Sequence, residues 1–71
     1  MKEIIFYLDN DTIGDAIEQY VELLDVVNHD IIYNYNYTRD YDEEEFKLYL
    51  YAEQQIIDAV YNQIKLLEEL Q

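Results

Sequence analysis

Two alternating runs flank a knot of carboxylates over residues 30–53, DIIYNYNYTRDYDEEEFKLYLYAE, and this stretch constrains the chain more than any other. Successive side chains on a strand point to opposite faces, so a period of two is a sheet signature. In the first run Ile31, Tyr33, Tyr35 and Tyr37 share one face, and Ile32, Asn34 and Asn36 share the other. In the second, Phe46, Leu48 and Leu50 oppose Lys47, Tyr49 and Tyr51. Tyr, Ile and Phe suit a pleated, half-buried surface, which predicts two antiparallel strands joined by a loop of about six residues. That loop carries Asp40, Asp42, Glu43, Glu44 and Glu45, with only Arg39 and Lys47 near enough to offset them. Bunched like charges cost stability that the core or a partner must recover. A competing reading makes residues 42–70 one long helix, since the segment holds no Gly or Pro and short apolar runs are ambiguous.

Before this stretch, Lys2 to Leu8 alternates like a strand and runs into Asp9-Asn10-Asp11, whose side chains favour a turn. Thr12-Ile13-Gly14-Asp15 fits a capping box with Thr12 as the cap. A helix then follows, because Ile13, Ala16, Ile17, Tyr20, Val21, Leu24 and Val27 recur at three and four. Asn28-His29-Asp30 reads as its stop, with Asn28 suited to a left-handed terminal conformation. After the hairpin, residues 53–70 read as a second helix with Ile56, Ile57, Val60, Ile64, Leu67 and Leu70 facing inward. The resulting expectation is a single α+β domain over residues 1–71, ordered β-α-β-β-α. Three strands form one sheet, both helices cover one of its faces, and the first two strands point the same way.

At 71 residues with no cysteine, the chain is near the size at which one core supplies only about 3–5 kcal/mol. Self-association would add buried area, so a homodimer is expected. The 51% hydrophobic content exceeds that of disordered acidic tails. Cysteine-free composition suits the cytoplasm, and the N-terminal residues read as neither a signal peptide nor a membrane span.

Seventeen acids stand against four bases, for a formal charge of −13. Such a chain seeks cations or basic protein surfaces, and it repels nucleic acid and anionic membranes as direct ligands. Asp15, Glu18, Glu22 and Asp25 fall on one face of the first helix, with neighbours about 5–6 Å apart. No lysine or arginine occurs between Lys2 and Arg39 to relieve them. Glu53 and Asp58 add two carboxylates on the second helix.

Catalysis has little support, since so short a chain rarely builds a concave site. His29 is the only histidine, and beside Asp30 it reads as a helix-terminal residue. Asp9, Asp11 and Gly14 match positions 1, 3 and 6 of an EF-hand loop. The pattern then fails, because Ile13 and Tyr20 stand where ligands are required. No catalytic residue, metal site or cofactor is therefore expected. Carboxylates at these spacings can instead occupy the arginine and lysine sites that receive DNA phosphates. The expected partner-binding set is Asp15, Glu18, Glu22, Asp25, Asp40, Asp42, Glu43, Glu44, Glu45, Glu53 and Asp58.

In size, charge and the pairing of nine tyrosines with many acids, the chain resembles the small acidic phage-encoded DNA-mimic proteins that block host DNA-binding proteins, inhibitors of the nucleoid protein HU among them. The resemblance spans the whole chain but rests on composition, so it transfers no individual residue. It implies a dimeric inhibitor in the host cytoplasm, acting on a nucleoid protein, a nuclease or a polymerase. Another class remains open: an acidic structural or regulatory domain, such as an antitoxin-like partner, whose acids only keep it soluble. A loose binder of divalent cations is a third.

Overall fold

A computed structural model of the chain describes residues 2–70. Strand β1 (Lys2–Leu8), helix α1 (Asp11–Asn28), strands β2 (Ile32–Asp40) and β3 (Glu45–Ala52) and helix α2 (Gln54–Glu69) follow in that order. This is the expected β-α-β-β-α arrangement. The single long helix over residues 42–70 is excluded, because residues 45–52 form the middle strand of a sheet ordered β1-β3-β2. Both pairings of β3 are antiparallel, so β1 and β2 do point the same way but never touch. The hairpin turn is tighter than expected: Asp40 pairs with Glu45, leaving residues 41–44 to turn. Glu44 closes it with φ 52°, the only positive φ outside glycine among the described residues.

The face assignment of β2 changes at its start. A bulge between Ile32 and Asn34 shifts the register, so Ile32 pairs with Ala52 and Asn34 with Tyr51. An extra residue reverses the alternation. Ile32 is therefore buried and Tyr33 is exposed, whereas the uninterrupted alternation placed Tyr33 with Tyr35 and Tyr37. Beyond the bulge Tyr35 and Tyr37 oppose Leu50 and Leu48 and pack against the core.

Helix α1 also begins earlier than expected. Asn10 is its N-cap, accepting a hydrogen bond at Oδ1 from the Ile13 amide at 2.9 Å, and Thr12 lies within the first turn. At the other end Asn28 stays helical and donates its side-chain amide to the Leu24 carbonyl at 3.1 Å. His29, the C-cap, keeps a right-handed φ of −60°, so no left-handed terminus forms. His29 Nε2 lies 3.0 Å from Asp30 Oδ1.

Both helices lie on the same face of the sheet. There Phe6, Leu8, Ile32, Phe46, Leu48, Leu50 and Ala52 meet Ile13, Ile17 and Val21 from α1, and Ile56, Ile57, Val60 and Ile64 from α2. Two residues assigned to the core stripes lie outside it, Val27 at 78% and Leu70 at 78% exposure; each sits in the last turn of its helix or just past it. The opposite sheet face has no covering layer among the described residues. It presents Ile5 and Tyr7 from β1 beside Tyr49 and Lys47 from β3. Tyr51 packs against the bulged Tyr33 there, with ring centroids 5.2 Å apart.

Candidate partner-binding surface

The acidic ridge of α1 and the acidic hairpin are one surface. Tyr41, in the turn, donates its hydroxyl to Asp11 Oδ2 at 2.8 Å. Tyr37, on β2, donates to Asp11 Oδ1 at 3.2 Å. Asp11 thereby joins the first turn of α1 to the hairpin, and the carboxylates continue along the helix through Asp15, Glu18, Glu22 and Asp25. At a rise of 1.5 Å per residue, Asp11 to Asp25 covers about 21 Å.

Arg39 modifies this ridge in a way that helix spacing did not reveal. Its guanidinium lies 2.7 Å from Asp15 Oδ1, 3.4 Å from Glu18 Oε1 and 3.8 Å from Asp11 Oδ1. It also stands 4.8 Å over the Tyr37 ring. The N-terminal half of the ridge is thus held by one cation shared among three carboxylates, so its repulsion is partly relieved. The contacts of Arg39 do not extend to Glu22 and Asp25.

In the hairpin the five acids play different parts. Asp40 Oδ1 accepts the backbone amides of Asp42 and Glu43 at 3.1 and 3.2 Å, which shapes the turn. Glu45 Oε1 lies 2.9 Å from Lys47 Nζ and pushes the lysine pKa up. Asp42, Glu43 and Glu44 are exposed, and their carboxylates project charge rather than holding the turn.

Glu53 and Asp58 stand apart from the ridge. Glu53 is the N-cap of α2 and accepts the Tyr33 hydroxyl at 2.7 Å. That bond holds its carboxyl below the usual glutamate value and raises the tyrosine in turn. Asp58 accepts from Gln54 Nε2 at 2.8 Å within its own helix. Asp11, Tyr37, Arg39 and Tyr41 are the additions that sequence reasoning missed. Asp11 looked like a turn residue, and only the hairpin folding over α1 brings the others to it.

Burial first, and then the bond to Asp11, push the Tyr37 hydroxyl up to about 12. Tyr35 is raised by burial and, next, by Asp25, Glu22 and Glu18, which places it in the field of the C-terminal part of the ridge. No group of three or more His, Cys, Asp or Glu among the described residues is arranged to hold a metal ion. The segment with partial EF-hand spacing is helical from Asp11 onward. No helix among the described residues is long and apolar enough to cross a membrane. The chain matches no protein-family model, no curated protein and no solved structure.

Proposed function

We propose that this protein is a non-enzymatic DNA mimic that occupies the DNA-binding surface of a basic host protein, a nucleoid protein of the HU type in first place, and blocks its access to DNA. The observation that carries this reading is the continuity of the carboxylates from the hairpin turn along α1. Thirteen net negative charges on a body 34 Å long give a linear density of the same order as duplex DNA, at about one charge per 1.7 Å. Basic grooves recognise that array chiefly through phosphate positions. A rigid helix with carboxylates about 5–6 Å apart offers comparable acceptors to the same lysines and arginines.

Competition with duplex DNA for a purified HU-type protein tests the reading. The chain is expected to displace DNA, with an affinity that falls about tenfold or more between roughly 50 and 200 mM salt as ion pairs are exchanged for free ions. Replacing Asp42 by Asn and Glu43 and Glu44 by Gln should weaken displacement while leaving the turn intact, since the turn uses their backbones rather than their carboxylates. A ternary complex with DNA, or displacement indifferent to salt, would falsify the mimicry.

The uncovered sheet face supports self-association. Ile5 at 49% and Tyr7 at 66% exposure lie beside Tyr49 and Lys47, and burying apolar area of this kind stabilises a small domain. A homodimer through this face, the strand edges or the 31–51 hairpin is the expected state. Sedimentation at micromolar concentration checks it, and a monomer that persists there rules it out. The same face is what favours the antitoxin-like interaction domain as the second reading, and that reading takes the lead if DNA is not displaced.

A further inference from the structure

The way Arg39 is held supplies a template for a second site. A tyrosine ring on the core-side row of β2, Tyr37, and a pair of α1 carboxylates three residues apart, Asp15 and Glu18, together receive one guanidinium. Seven residues further along α1, about two turns or 10 Å, Glu22 and Asp25 repeat the carboxylate pair. Two residues back along β2, about 6–7 Å, Tyr35 repeats the ring. Helix and strand run in opposite directions, so the two displacements point the same way, and Tyr35 lies in the field of Asp25 and Glu22.

At that point the surface is concave. A cavity of about 160 Å³ is lined by Asp25, Ile32, Tyr33, Asn34 and Tyr35. The bulge at residues 32–34 opens it by turning Tyr33 out of the core-side row, and Glu53 and Tyr51 hold the Tyr33 ring in place. The first arrangement takes its cation from this chain. The second contains none of the chain's lysines or arginines in its lining.

We infer that this cavity is a receptor for the guanidinium of a partner's arginine, which pairs with Asp25 and Glu22 and packs on the Tyr35 ring as Arg39 does on Tyr37. The inference rests on the reading above in supposing a basic partner, and it adds a single anchoring pocket to a surface otherwise made of distributed charge. Arginine suits the pocket better than lysine, because a planar guanidinium stacks on aromatic faces and bonds a carboxylate through two donors.

Titration of isotope-labelled protein with N-acetyl-arginine amide, followed through backbone amide shifts, tests the site without any DNA-binding target. Saturable shifts centred on Asp25 and residues 32–35 are expected, tighter than for N-acetyl-lysine amide. Asp25→Asn and Glu22→Gln should each weaken binding about two- to five-fold, the range for one exposed ion-pair or cation–π partner. Glu43→Gln in the turn should leave it unchanged. The amide spectra report folding of every variant, and Glu22 is exposed, so that substitution spares the core. Shifts spread evenly over the acidic surface, equal sensitivity to Glu43→Gln, equal binding of the lysine probe, or no saturable binding would each overturn the pocket. Failure here leaves DNA displacement untouched, and failure of DNA displacement leaves a measured arginine site standing.

Discussion

Gly14→Ala is expected to destabilise the fold by up to about 2 kcal/mol, an overpacking cost of about 1–3 kcal/mol less about 1 kcal/mol for the better helix propensity of alanine. Gly14 has no positive φ, so space and not backbone freedom demands glycine. A Cβ there would overlap the Tyr37 hydroxyl and stand 2.5 Å from ring atom Cζ and 2.8 Å from Cε1. The ring cannot retreat cheaply, because its hydroxyl bonds Asp11 and its face carries Arg39. Denaturant melts check the sign, and Tyr37→Ala checks the cause: in that background Gly14→Ala should become neutral or stabilising. Tyrosinate absorbance adds a second measure. The folded value of Tyr37, about 12, lies above its ordinary value of 10.0, so the folded state holds that proton more firmly. The stability this contributes is complete below about pH 10 and is lost as pH rises toward 12. Gly14→Ala should bring the Tyr37 titration back toward 10 and flatten that alkaline loss. A stabilised Gly14→Ala protein with an unchanged titration would contradict the packing argument.

Leu48→Ala should have a larger effect and leave the chain mostly unfolded at room temperature. Leu48 is fully buried in the central strand, where it faces Phe6 on one side and Tyr37 on the other. Removing a buried leucine to alanine costs about 2–5 kcal/mol, against a core that supplies about 3–5 kcal/mol in a domain of this size. Tyr49, the next residue, points to the uncovered face, and Tyr49→Ala is the matched control with a smaller expected loss. Melts of both variants at one fixed protein concentration decide the matter, since self-association makes the midpoint concentration-dependent. A cooperative transition for Leu48→Ala near the parent midpoint would show that the core does not depend on this strand.

The sequence alone determined what short-range spacing can encode. The period-two runs at 2–8, 31–37 and 46–51 specified strands, and the three-and-four spacing of Ile13, Ile17, Val21 and of Ile56, Val60, Ile64 specified helices. These patterns record which side of an element meets the core, and one core can satisfy them all. The concentration of acids on one face of α1 and in the hairpin was likewise legible, because helix pitch and turn position follow from local chemistry. Tertiary structure decided what depends on partners remote in the chain. Arg39 meets Asp15 across 24 residues and Tyr41 meets Asp11 across 30, separations at which no periodicity carries information. Placing β3 between β1 and β2 lets both outer strands pair with it. The bulge that turns Tyr33 outward and buries Ile32 arises from matching β2 to β3 at Ala52 and Tyr51, a register invisible to either strand alone. The cap moved from Thr12 to Asn10 because the chain leaving β1 offers the Asn10 side chain to the Ile13 amide. Individual faces are local properties, whereas the joining of two acidic segments into one surface, and the concavity beside Tyr35, exist only once the hairpin lies along α1.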